Sequence, residues 1–353
     1  MVRANATIPS NAMHAPGKPL VSVIVPVYNG AAFLRESLDS ILRQTYAPLE
    51  IIVLDDASTD ATPDILREYS SRIRSIRQIV NLGQFENVNM GLRLASGEFV
   101  AVFHADDIYE STIVEREVEF LLNHPDVGAV FCLDRFIDEK GIIYGRLELP
   151  PHWREKSVLH YGDLLPEILS HKNRFLRTPG AMVRASVYRE LGYFAPAPFG
   201  IAADLEMWLR IARRYPLGLL HEYLFSYRHF HGSLSQNYDW LRTEEEKFFV
   251  VMDRELANAS RPKVAGSVLR RYAAHREEDK LKRAAAHYVK GDRVHARRVL
   301  ETVRPPALFA NERWPRLFLL HVLLTVVTRL PRSERIAELL LRRLFLKVRP
   351  AIR

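Results

Sequence analysis

Three short apolar runs constrain this chain more than any other feature. Val21 to Val27, Leu49 to Leu54 and Phe99 to Phe103 are rich in β-branched residues. They are followed by Tyr28-Asn29, by Asp55-Asp56 and by His104-Ala105-Asp106-Asp107. Runs of this length suit strands buried on both faces of a parallel sheet. Helical periodicity fills the gaps. Phe33, Leu34, Leu38, Ile41 and Leu42 share one face, as do Ile65, Leu66 and Tyr69 behind a Thr62-Pro63 start. Residues 72–80 predict a further strand. Strand, helix and strand in series imply right-handed crossovers and a doubly wound α/β sheet.

Such a sheet binds ligands outside the carboxyl ends of its strands. Tyr28, Asp56, Asp106 and Asp107 all lie at or just past those ends. Residues far apart in sequence therefore converge on one crevice, three carboxylates among them. Carboxylates this close repel unless a cation or a donor-rich ligand intervenes. A divalent metal gripping a diphosphate meets that need. The sequence has no G-x-G-x-x-G and no G-x-x-x-x-G-K-[ST], which argues against a Rossmann dehydrogenase and a P-loop NTPase.

The 353 residues suffice for about two domains. With 48% hydrophobic and 26% charged residues, the chain is neither mostly disordered nor a polytopic membrane protein. Its single cysteine, Cys132, excludes an intrachain disulfide and a Cys-rich zinc site. The first 20 residues lack the apolar core of a secretory signal, and residues 1–19 are expected to be a disordered leader. Charge is unevenly spread. Residues 261–353 carry 23 Lys and Arg against 8 Asp and Glu, a balance of +15, while residues 1–260 balance at −7. A basic tail on a mildly acidic body suggests a surface for an anionic partner, a membrane or nucleic acid.

Ser22-Val-Ile-Val-Pro-Val-Tyr-Asn29, Leu54-Asp-Asp-Ala-Ser-Thr-Asp60, Asn81-Leu-Gly83, Asn89-Met-Gly91, Ala95-Ser-Gly-Glu98 and Ala105-Asp-Asp107 follow one another in an order and spacing that resemble family-2 glycosyltransferases of GT-A fold. Thr178-Pro-Gly-Ala-Met-Val-Arg184, Gly192-Tyr-Phe194, Ala203 to Arg210 and Tyr227-Arg228 resemble the acceptor half of that family. The resemblance implies a GT-A domain over residues 20–240, a mainly parallel central sheet flanked by helices. Its nucleotide-sugar half would span 20–131 and its acceptor half 132–240. A helical, basic region would follow over 241–353.

The resemblance also implies roles. Pro26 and Tyr28 sit beside the nucleotide base and Asp56 accepts a hydrogen bond from it. Asp106 and Asp107 occupy the DxD-type region and contact the ribose and a divalent metal, Mn²⁺ or Mg²⁺, that holds the donor diphosphate. Asp204 matches the general base. His104 replaces the first Asp of DxD. The late Y-R-x-H-x-x-S-x-S motif has a displaced histidine, so His229 and His231 compete as the diphosphate contact, with His231 preferred.

Most of these residues also have purely structural readings. Asp56 and Asp60 can cap the turn around Ser58-Thr59. Asp204 can cap the helix of Leu205, Trp208, Leu209 and Ile211. Tyr28 can be a turn residue, Asp106 and Asp107 solvated loop acids, and His104, His229 and His231 ordinary polar residues. Glu206 is expected to face solvent.

In the tail, Ala284 to Leu300 predicts two short antiparallel helices turning at Gly291-Asp292. Leu317 to Val327 is too short to span a bilayer core, which needs about 20 residues, and predicts a buried helix. Ile336 to Val348 combines Leu339, Leu340, Leu344 and Phe345 with Arg335, Arg342, Arg343 and Lys347, a pattern suited to an anionic membrane surface.

The expected activity is inverting transfer of a sugar from a nucleoside-diphosphate sugar to a hydroxyl, in surface polysaccharide or lipid-linked glycan synthesis. The acceptor would be a glycan or a lipid-linked sugar. The protein would be cytoplasmic, peripheral on the membrane, and compatible with a homo-oligomer. The alternatives are a metal-dependent nucleotidyltransferase and a silent nucleotide-sugar binding module. A nucleic-acid binder ranks last, because few aromatics interleave with the basic residues.

Overall fold

The computed structural model describes residues 17–230 and 242–329. The expected leader therefore lies largely outside the described residues, as do His231 and the Ile336–Val348 pattern. The chain divides into two compact units, Met1–Leu165 with Asn173–Phe230, and Pro166–Lys172 with His231–Arg353.

The first unit alternates strands and helices as the apolar runs predict. β1 (Val21–Val27), α1 (Leu34–Leu42), β2 (Leu49–Asp55), α2 (Thr62–Glu68), β3 (Arg74–Arg77), α3 (Gln84–Leu94) and β4 (Phe99–Val102) come first. β5 (Ile108–Tyr109), α4 (Ile113–Asn123), β6 (Ala129–Ile137), β7 (Ile143–Arg146) and β8 (Val158–Leu159) follow. α5 (Tyr161–His171) crosses the division between the units. β9 (Ala181–Arg184), α6 (Ala185–Leu191), α7 (Pro196–Phe199), α8 (Ala203–Ala212) and β10 (Leu217–Arg228) complete the unit. All ten strands form one sheet, with the path β3-β2-β1-β4-β9-β6-β10-β5; β7 pairs with β6 and β8 with β10.

β3, β2, β1 and β4 are parallel, and Val27 at the end of β1 registers with Asp55 at the end of β2. β9 runs antiparallel between β4 and β6. Side-chain alternation splits the strands between two faces. Val21, Val23, Val25, Ile51, Val53, Phe99 and Ala101 share a core with Leu34, Leu38 and Ile41 of α1, Ile65 of α2 and Val114 and Val118 of α4. On the other face, α3 approaches so closely that a Cβ on Gly91 would overlap Ile24. Trp208 of α8 meets Phe131 of β6 edge-on, with ring centroids 5.0 Å apart.

The described part of the second unit is helical beyond residue 242. It contains α9 (Lys247–Ala257), α10 (Gly266–Val289), α11 (Arg293–Glu301), α12 (Pro305–Leu308) and α13 (Trp314–Val327). The predicted turn at Gly291-Asp292 is present, with Gly291 at φ +84°. The helix before it is not short, however: it runs for 24 residues. Leu317, Leu320, Leu324 and Val327 of α13 are buried with Leu281, Tyr288 and Leu300, whereas Phe318, Leu319, Val322 and Val326 are exposed. The expected buried helix is thus buried on one face only.

Candidate active site

The site is built first from the loops after β1 and β2. Asn29 and Ala57 have φ of +50° and +62°, a region uncommon for residues other than glycine and often held at functional sites. Hydrogen bonds join the two loops. Asn29 N donates to Ser58 Oγ at 2.8 Å, Thr59 N to Asn29 Oδ1 at 2.8 Å and Ala31 N to Asp60 Oδ2 at 3.0 Å. Beside this join Tyr28 is 53% exposed. Pro26, registered with Leu54, is partly buried behind it.

Asp56 is buried and already engaged. Leu82 N donates to its Oδ1 at 2.7 Å and Gly83 N to its Oδ2 at 2.9 Å. A carboxylate has about four acceptor sites, so Asp56 can tie the Leu82-Gly83 loop to the strand end and still accept from a ligand. Asp55 takes the internal role, with Ser58 N at 2.9 Å and Arg77 Nε at 3.4 Å.

His104, Asp106 and Asp107 follow β4 and place donor atoms within 4.8 Å of one another. Asp107 is buried rather than solvated, and its Oδ1 accepts from Arg228 N at 2.8 Å. Its Oδ2 and His104 Nε2 are buried without a hydrogen-bond partner. Burial, reinforced by the charge of Asp106, pushes the Asp107 carboxyl well above the usual range. Burial also pulls the His104 imidazole down against the opposing effect of Asp106, so it stays neutral and can ligate at neutral pH. A divalent cation would occupy the orphaned oxygen and offset the repulsion between the two acids, so the donor set fits a metal. Oxygen ligands with one imidazole suit Mn²⁺ or Mg²⁺.

Arg228 holds this loop in place. Its side chain is buried, and Nε donates to Asp106 O at 2.8 Å. Nη1 reaches Asp138 O and Glu139 O at 3.1 and 3.2 Å, and Nη2 pairs with Glu36 at 2.5 Å. His229, the next residue, is hydrogen-bonded to Tyr144 through Nδ1 and stacked on Phe136. His231 lies outside the described residues.

Asp204 lies in the first turn of α8, and its Oδ1 accepts from Leu205 N at 2.6 Å. It is not the helix cap; that position is Ala202. Burial pushes its carboxyl up to about 6, against the Leu205 hydrogen bond and the charge of Arg177. Glu206 does not face solvent. It is buried and paired with Arg210 at 2.9 Å, and Arg210 also donates to Leu191 O and Tyr193 O.

Two residues of the site carry no motif in the sequence. Asp134 is a buried acid within the apolar strand β6, pushed up to about 6 by burial. Arg177 Nε lies 3.1 Å from its Oδ2. The same guanidinium acts electrostatically on Asp107 and on Asp204. The only sequence signals were an acid inside an otherwise apolar run and an arginine beside Thr178-Pro-Gly.

Comparison with known proteins identifies the family. A model described as glycosyl transferase family 2 matches residues 22–192. A curated protein from Haemophilus influenzae, described as an uncharacterized glycosyltransferase, is 34% identical over 65% of this chain and 71% of its own length. One of the same description from Methanocaldococcus jannaschii is 30% identical over 60% of this chain and 71% of its own. Among solved structures, S. aureus TarS 1-349 in complex with UDP-GlcNAc is similar with a TM-score of 0.58, 19% identity and coverage of 92% and 91%. Mannosyltransferase PcManGT from Pyrobaculum calidifontis, in complex with GDP-Man and Mn²⁺, gives 0.55, 20%, 94% and 88%. These two likenesses establish a shared GT-A fold. The two curated relatives, each matched over more than two-thirds of its length, and the family model carry the assignment further: this chain belongs to glycosyl transferase family 2 and is a glycosyltransferase.

Proposed function

We propose that the protein transfers a sugar from a nucleoside-diphosphate sugar to a hydroxyl acceptor with inversion at the anomeric carbon. The observation that carries this reading is the group of His104, Asp106 and Asp107, whose ligand atoms lie within 4.8 Å of one another and include the buried, unpartnered Oδ2 of Asp107. Asp204, in the first turn of α8, is the candidate base for the acceptor. Tyr28 and Pro26 flank the base of the nucleotide, and Asp56 accepts a hydrogen bond from it. His104, Asp106 and Asp107 hold a divalent cation, which when bound offsets negative charge on the departing diphosphate. Asp204 takes the proton from the acceptor hydroxyl as its oxygen bonds to the anomeric carbon. The electron pair of the breaking bond leaves with the diphosphate. No protein nucleophile intervenes, so a single displacement inverts the centre. His231 remains a candidate diphosphate contact, since the described His229 is engaged by Tyr144.

We further propose a glycan or lipid-linked acceptor reached at an anionic cytoplasmic membrane surface. The +15 balance of residues 261–353 and the exposed apolar residues of α13 support this. Among the described residues, no helix is long and apolar enough to cross a membrane. Sedimentation with liposomes tests the surface: binding to anionic but not neutral vesicles, weakening with salt, is expected, and equal binding to both would overturn it. The donor reading is tested by melting the protein with a panel of nucleoside diphosphates and nucleotide sugars, with and without Mn²⁺. One nucleotide should raise the melting temperature in a Mn²⁺-dependent way. A hundredfold excess over Kd would stabilise by about 2.7 kcal/mol. No response to any nucleotide would contradict the assignment.

A further inference from the structure

The second unit contains a set of metal-type ligands that the transfer reaction does not use. α10 ends at Val289, Gly291 turns the chain, and α11 begins at Arg293. The turn sets His287, in the last turn of α10, near His295, in the first turn of α11, with Asp292 between them. Donor atoms from all three residues lie within 4.8 Å of one another. Asp292 is fixed by the backbone. Its N–H donates to His287 O at 2.9 Å, and its Oδ1 accepts from His295 N at 3.1 Å as the cap of α11. Its Oδ2 faces both imidazoles, 2.7 Å from His295 Nδ1 and 3.4 Å from His287 Nδ1. The two rings stack with centroids 5.4 Å apart and planes 19° from parallel.

One carboxylate oxygen thus serves two imidazole nitrogens, while the other oxygen is committed to the helix. In this arrangement both imidazoles share one carboxylate oxygen, and two imidazoles with a carboxylate form a zinc-type donor set. Their ligand atoms lie close enough together to share one divalent cation. Bonds of about 2.0–2.2 Å in a tetrahedral zinc site put ligand atoms about 3.3–3.6 Å apart. The 3.4 Å separation already fits. The 2.7 Å separation must open by less than about 1 Å, and the His295 side chain is more than half exposed.

We propose that His287, Asp292 and His295 bind a Zn²⁺-class ion that clamps the α10–α11 turn, with a water completing the coordination. Two imidazoles with one carboxylate favour Zn²⁺, Co²⁺ or Ni²⁺ over Mg²⁺, which separates this site in chemistry from the acid-rich group at His104. The rival arrangement is an ion-free cap in which Asp292 accepts from both rings.

Equilibrium dialysis of the full chain, without an affinity tag, against micromolar Zn²⁺ decides between them. The wild type should bind one more zinc per chain than His287→Asn/His295→Asn. Zinc should raise the melting temperature of the wild type by more than that of the variant. Mn²⁺-dependent nucleotide binding should be equal in both, so a failure here is distinguishable from a failure of the transfer reading. If the double variant folds poorly, His295→Ala alone, at its exposed position, should give the same loss. Equal zinc counts in wild type and His295→Ala, or no zinc bound by the wild type, would overturn the proposal and leave the ion-free cap.

Discussion

At the scale of single residues, burial tunes the candidate base. The Asp204 carboxyl is pushed up to about 6, and a base must be ionised to accept a proton. Transfer should therefore rise with pH through about 6 and level off above it, and a flat profile across that range would remove Asp204 from the role. The stability effect has a definite sign. Because the folded-state value is raised, the contribution of this group is present below the ordinary carboxylate range and is lost as pH rises through the raised value. Asp204→Asn cannot ionise, so above about pH 6 it should melt at or above the wild-type temperature while losing activity. A lower melting temperature would support a structural role. Arg228 makes the opposite prediction. Arg228→Lys keeps the charge but loses the fork, leaving carbonyls of residues 106, 138 and 139 short of donors. Each orphaned group costs about 1–3 kcal/mol, and Mn²⁺-dependent nucleotide affinity should fall with stability. Unchanged melting and affinity would show that the loop holds itself. Glu206 shows where residue-level reading failed. It was expected to face solvent, but most of α8 is buried, and an acid there is tolerated because Arg210 sits one turn on and pairs with it.

At the scale of elements, the strand ends were legible because buried parallel strands are short, apolar and punctuated by polar residues. Tyr28, Asp56 and Asp106 could be placed at one sheet edge from that pattern alone. Asp134 and Arg177 could not. Their importance depends on β9 entering the sheet antiparallel between β4 and β6, a pairing that joins segments some 80 residues apart in sequence and leaves no local period. The motif glycines were visible, but their reasons were not. Gly97, just before β4, has its N–H on Ser22 Oγ at 2.8 Å, and a Cβ there would lie 2.6 Å from Ser22 N and 2.8 Å from Phe99 O. Backbone atoms give little way. Gly97→Ala should destabilise the fold by about 1–3 kcal/mol, measured by denaturant unfolding. A change within about 0.5 kcal/mol, usual for an unconstrained surface site, would show that the β1–β4 edge can relax.

At the scale of the whole molecule, charge and composition alone separate a basic helical tail from an acidic α/β body. Composition did not reveal the long α10 or the His287–Asp292–His295 group, because neither spacing nor charge distinguishes a ligand set from a helix cap. In the proposed reaction Asp204 accepts the proton within a site whose donor half stands without it. The most direct test compares Asp204→Asn with the wild type, measuring turnover and Mn²⁺-dependent donor affinity on the same preparations. Turnover should fall by roughly 10²–10⁴ with donor affinity nearly unchanged. Near-normal turnover, or a loss of donor binding equal to the loss of turnover, would contradict the account.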